Sequence, residues 1–176
     1  MARHLTRQEL IRGYKLCQKR IDISWRKRQR VEAVLYMSLL VEYFVKEAIL
    51  SFEKIVEGAA IGVNVGFNPR NLYSKQDIES QPLGYLIKTL DTYTKDKSLI
   101  KDLRHFAGTR NGCVHKLFGR SISEVNRELK DFNVFFYKLM LRLLQLNLDQ
   151  RNHIEKSFHP ICDLCFREML PRQVKL

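Results

Sequence analysis

Cysteine is scarce in this chain. Cys17, Cys113, Cys162 and Cys165 are four among 176 residues, too few and too unevenly spaced for a disulfide framework, so reduced thiols are expected. Only Cys162-x-x-Cys165 has metal-like spacing, and although His153 and His159 are near it in sequence, no second CxxC pair or HxxxH completes a set of four ligands. Packing is the expectation there, and the sequence assigns neither a metal nor a cofactor. Long apolar runs are missing as well. The richest stretch, Val134 to Leu148, is interrupted by Lys138, Arg142, Gln145 and Asn147, short of the roughly 20 apolar residues that a membrane helix needs. Residues 1–12 are charged throughout and lack the apolar core of a secretory leader, which predicts a cytoplasmic protein. Gly58, Gly62 and Gly66 are followed by no Gly-Lys-Ser/Thr, so a phosphate-binding loop for nucleotide hydrolysis has no support.

Negative charge is in short supply. Nineteen Asp and Glu stand against thirty-one Lys and Arg, giving a net charge of +12. That excess suits a polyanionic partner, either nucleic acid or an acidic lipid surface. A chain of this length with 45% hydrophobic residues buries one substantial core. A single domain over residues 1–176 is expected, with residues 149–176 as a C-terminal extension.

What the chain does have is helical periodicity. Thr6 and Glu9 form a capping-box pattern ahead of Leu10, Tyr14, Cys17 and Ile21, a first helix. The basic run Arg26-Lys27-Arg28 and Arg30 leads into a wide apolar face from Val31 to Ile55, a long second helix ending at Gly58. From about 58 to 81 the pattern fails, and glycine, asparagine and proline predict one long loop; near-alternation over Ile61 to Phe67 also admits a short hairpin. Pro82 opens a third helix and Ser98 is read as the cap of a fourth. Ser121 and Glu124 repeat the capping-box pattern before a long apolar helix from Val125 to Leu148, and Pro160 and Pro171 are expected to break the remainder. The fold class predicted is all-α, an up-and-down helical bundle with one long loop.

One segment stands out chemically: Arg110-Asn111-Gly112-Cys113-Val114-His115. Cleaving RNA without a metal requires a base for the 2′-hydroxyl, an acid for the leaving 5′-oxygen and cationic donors for the phosphorane. Histidine serves either proton-transfer role near neutral pH, and guanidinium meets phosphate oxygens with a planar fork of donors. On a helix Asn111 and His115 lie within about 40° of each other, whereas Arg110 and His115 diverge by about 140°. Arg110 must then reach round, or the backbone must depart from regular helix at Gly108 or Gly112, where departure costs least. Arg-x4-His alone is close to an even chance in a chain with sixteen Arg and five His; requiring Asn after the Arg lowers the expectation to about 0.02.

The segment resembles the signature of the HEPN family: an Arg, most often followed by Asn or another polar residue, then a His after four to six intervening positions. The likeness extends over roughly residues 8–148, through two long helices, a loop, a helix with Leu-Gly-Tyr-Leu-Ile at 83–87, the motif and a long apolar helix. It implies a helical bundle that dimerises, bringing two motifs together, and a metal-independent endoribonuclease of toxin or antiviral-defence type leaving a 2′,3′-cyclic phosphate. Arg110, Asn111 and His115 would be catalytic, with the partner's His115 supplying the second proton-transfer group. An antitoxin or other regulatory protein would be a partner. In one subset of the family a Tyr two residues after the His is modified by the antitoxin; Leu117 stands there in this sequence, which puts that route of silencing in doubt.

Other readings stand beside this one. Arg110 and Asn111 are also suited to capping the helix's C-terminal carbonyls, and some HEPN-like domains bind RNA, nucleotide or protein without catalysis. His105 is the local rival for a catalytic role, though its commoner role is structural. Lys116, with Arg26, Lys27, Arg28 and Arg30 around Trp25, is the candidate RNA-binding set, the cations holding the backbone and the indole stacking a base. The competing reading of the cluster is a solvated face with Trp25 packed inward. Its lack of a matching exposed apolar stripe speaks against a membrane-surface helix.

Overall fold

The computed structural model describes residues 7–63, 75–116 and 119–169, with side chains for 12–57, 77–113, 115 and 119–154. Seven helices and no strand occur among them: α1 (Arg7–Arg26), α2 (Arg30–Val63), α3 (Lys75–Glu79), α4 (Leu83–Tyr93), α5 (Lys97–Lys116), α6 (Ile122–Glu128) and α7 (Phe132–Met169). The fold is all-α, and none of these helices is long and apolar enough to cross a membrane. Thr6, and with it the expected first cap, lies outside the described residues.

Helix α2 is the axis of the molecule. Its apolar face buries Ala33, Val34, Met37, Val41, Val45, Ala48 and Ile49 completely, and α1, α4 and α7 pack around it. Three kinds of contact fix the directions. Tyr14 meets Phe44 edge-on at 6.0 Å, so α1 folds back along α2. Asn147 donates to the Phe44 carbonyl at 3.2 Å and Gln150 to the Ala48 carbonyl at 3.0 Å, so α7 advances in the same sense as α2. Lys46 donates to the Glu79 carbonyl, and the buried Glu53 accepts the Tyr93 hydroxyl, so α4 advances in that sense too. Tyr137 ties α7 to α1 through Asp22 at 2.8 Å; burial, then that bond, pushes its phenol up to about 12.

Several element boundaries differ from those the sequence suggests. Helix α2 runs past Gly58 to Val63, because a glycine in a helix costs only about 1 kcal/mol and Ala59, Ala60 and Ile61 carry the helix onward. Residues 61–63 are therefore not in a hairpin; 64–67 lie outside the described residues. Within the expected loop, α3 forms and buries Ile78. Asp96, not Ser98, caps α5: its Oδ1 accepts from the Leu99 amide at 2.9 Å. The long helix read from Val125 divides into α6 and α7 at residues 129–131, a turn that lets both Leu129 and Phe132 be buried. The Ser121–Glu124 capping box is present as read. Helix α7 continues through Pro160, where the ring removes one bond to the Lys156 carbonyl without ending the helix; Pro171 lies outside the described residues.

Candidate functional site

Helix α5 carries the motif, and the rest of the molecule holds that helix rigidly. Asp96 caps its start and also pairs with Arg142 of α7 at 2.8 Å, while Asp102 takes the other arm of the same guanidinium. The carboxyl of Asp96 is held below the usual value by the Leu99 amide first and by Arg142 second. Asp91 at the end of α4 binds Lys97 at 2.6 Å and Arg104 at 2.8 Å, and the Lys97 hydrogen bond leads the causes that lower its own carboxyl. One turn before the motif, the fully buried Phe106 stacks on Phe132 at 5.6 Å and tilts against Phe136 at 6.3 Å. An aromatic so placed is worth about 3–5 kcal/mol, and it sets the rotation of α5.

The motif itself is unbroken α-helix to Lys116. No glycine among the described residues has positive φ, so Gly108 and Gly112 do not relieve the angular mismatch. The side chain of Arg110 does the reaching. Arg110 leaves the helix on the side of the buried Phe106 and Cys113, is half-buried, and turns its Nη1 to donate to Asn111 Oδ1 at 3.1 Å. Its Nε is buried with no hydrogen-bond partner, a donor that burial makes costly to leave unused. Asn111 and His115 are both exposed and share the solvent face of α5. The Asn111 oxygen is thus committed to Arg110. Because the helix runs on through Arg110 and Asn111, these residues do not cap its end. Lys116 is helical, but its side chain lies outside the described set, as do those of Cys162 and Cys165.

His105 sits ten residues before His115 on the same straight helix, about 15 Å along the axis. Within one chain the imidazoles of His105 and His115 therefore do not meet at one phosphate. His105 instead packs edge-on against Phe135 at 4.9 Å.

The basic corner divides into exposed and committed residues. Arg26, Lys27 and Arg28 are exposed. Arg28 has φ of 60°; the Gln29 amide bonds to the Ser24 carbonyl and the Arg28 amide to that of Trp25, the paired closure of a Schellman motif with Arg28 in the left-handed position. Arg30 is committed: its Nη1 donates to the Asn126 carbonyl, and Asn126 Oδ1 accepts from the amides of Arg30 and Val31. The Arg30 guanidinium also lies 5.5 Å from the Trp25 ring centroid. Trp25 is half-buried against the core, so one face of its ring is occupied by Arg30.

Sequence reasoning missed a cleft. Between α5 and α6, a cavity of about 480 Å³ is lined on one side by His105, Gly108, Thr109 and Gly112 and on the other by Val125 and Glu128. Its residues are 105, 108, 109 and 112 in the helical spacing of one face, a signal the sequence contained, but nothing in it placed α6 opposite. Helix α6 thus walls the cleft and, through Asn126, is bonded to Arg30 of the basic corner. Comparison with protein-family models, with curated proteins and with solved structures found no match.

Proposed function

We propose that the chain is a metal-independent endoribonuclease of the HEPN kind, acting as a homodimer. The observation that carries this reading is the disposition of Arg110: a half-buried guanidinium tethered to Asn111, with a buried Nε unspent, on the same helix as an exposed His115. A guanidinium held in this way is pre-organised to receive developing phosphate charge and loses little freedom in doing so. An exposed imidazole is accessible to a 2′-hydroxyl. In the proposed reaction His115 of one chain takes the 2′-hydroxyl proton, and the freed oxygen attacks phosphorus. Arg110 stabilises the phosphorane, and His115 of the second chain protonates the departing 5′-oxygen, leaving a 2′,3′-cyclic phosphate. The second chain is needed because His105 is too distant to be the acid. The exposed cations Arg26, Lys27 and Arg28, close in sequence to the Arg30 that bonds α6, suit a flanking stretch of RNA backbone. A regulatory protein of the antitoxin kind would act by covering this face.

A second reading has one observation in its favour. Asn111 gives its oxygen to Arg110, so that atom does not orient the His115 imidazole; a non-catalytic module binding RNA, nucleotide or protein needs no such orientation. Cleavage of an RNA panel in EDTA by the parent chain and by His115→Ala, matched for circular dichroism, separates the two. The enzyme is expected to lose about 10²–10⁴-fold in rate on losing a proton-transfer group. Equal cleavage by both proteins, or none by the parent, rejects the ribonuclease.

A further inference from the structure

We infer that the cleft between α5 and α6 is a nucleobase subsite, and that it selects guanine on the strand running through the motif. The inference rests on the ribonuclease reading for its ligand class and adds the base that the site recognises.

The glycines point to the cleft's purpose. Gly108 and Gly112 lie four apart in the middle of a helix, where glycine is a poor former. Neither has positive φ, and a Cβ added to either meets nothing within 4 Å. Backbone geometry and tight packing therefore explain neither residue. What both accomplish is to keep the cleft wall flat where side chains would fill it. The cavity of about 480 Å³ lies within the roughly 300–1,000 Å³ typical of small-molecule sites. Gly112 and Cys113 of the motif itself line the cleft, so a base held there leaves its own sugar and phosphate near the motif.

The lining selects among bases. Val125 provides apolar surface for a ring. Thr109 and His105 each offer both a donor and an acceptor. Among the described residues of the cleft wall the one charged group is Glu128, whose carboxylate is held by an ion pair with Arg120. A carboxylate only accepts hydrogen bonds, and two oxygens side by side match two adjacent donors. Guanine alone among the RNA bases presents such a pair, N1–H and the N2 amine; cytosine and adenine offer a single amine and uracil a single N–H. The ion pair with Arg120 restricts the rotation of Glu128, which favours this readout over simple repulsion of the strand.

Binding is measured separately from cutting. Oligomers of uridine carrying one central guanosine, one central inosine or none, all 2′-O-methylated so that they cannot be cleaved, are titrated against the full chain by fluorescence anisotropy. The guanosine oligomer is expected to bind about tenfold more tightly than the all-uridine one, with inosine, which lacks the amine, in between. Glu128→Gln, which places an amide donor against N1–H, is expected to erase the preference. Gly112→Leu is expected to do the same while raising the melting temperature, since it fills the cleft and favours the helix, and unfolding cannot mimic that combination. Equal binding of all three oligomers, or a guanosine preference that survives Gly112→Leu, overturns the subsite while leaving the ribonuclease to be judged by His115→Ala. Binding of no oligomer overturns the subsite together with the RNA reading.

Discussion

At the scale of single residues, Arg28 is the clearest departure from local preference. Its left-handed backbone closes α1 in a position where glycine is the usual occupant, and a residue with a Cβ there costs roughly 1–2 kcal/mol. Arg28→Gly is therefore expected to raise stability by about 1 kcal/mol, the gain being reduced by the greater freedom of glycine in the unfolded chain. Thermal denaturation reads it as a rise of a few degrees; an unchanged or lower midpoint removes the strain argument. Contacts between adjacent residues are the kind that a sequence can carry. Arg110 and Asn111 are neighbours, and their hydrogen bond follows from the dipeptide itself. Arg30 and Trp25 were not legible in the same way. The sequence groups them with a basic cluster, but Asn126, 96 positions away from Arg30, and the core behind Trp25 decide what those side chains do.

At the scale of elements, helix α5 depends on Asp96, which serves as its N-cap and as the acidic partner of Arg142. Because its carboxyl is depressed in the folded state, its contribution is fully present above the unfolded carboxyl value of 3.8 and is lost as pH falls through the lower folded value. Asp96→Ala is expected to cost about 1 kcal/mol at pH 7, mostly from the cap because the ion pair is solvent-screened. Urea denaturation of parent and variant should show the gap closing towards pH 3; a gap that stays constant with pH assigns the loss to shape rather than charge. The existence and type of α1, α2, α4, α5 and α7 were legible from apolar periodicity, and the Ser121 capping box was legible to the residue, whereas α3 formed inside the expected loop. Boundaries set by tertiary burial were not. The α6–α7 turn exists because Leu129 and Phe132 are both drawn into the core, and a periodicity that continues through both residues conceals it. Nor does periodicity state which helices run in the same sense as α2; that is fixed by contacts such as Asn147 with Phe44.

At the scale of the whole molecule, one chain would be an incomplete reaction centre for the proposed ribonuclease. Proton removal and proton delivery in a single step require two groups, and α5 separates its two imidazoles by about 15 Å. A symmetric pair of chains would bring identical surfaces together, so in the proposed reaction the same His115 would be used twice, once as base and once as acid. This makes a quantitative prediction about mixtures. When parent and His115→Ala chains are combined in equal amounts and allowed to exchange, random pairing leaves about a quarter of the dimers with both imidazoles. If cleavage needs both, activity falls to about a quarter of that of the same total amount of parent protein. If each chain cuts alone, half remains. Measuring initial cleavage rates across a series of mixing ratios, with exchange verified by native mass, separates a squared dependence on the parent fraction from a linear one. A linear result, with the parent active and His115→Ala inactive, would retain His115 as a catalytic group and discard the shared site. The acid would then have to come from this chain's own residues or from solvent.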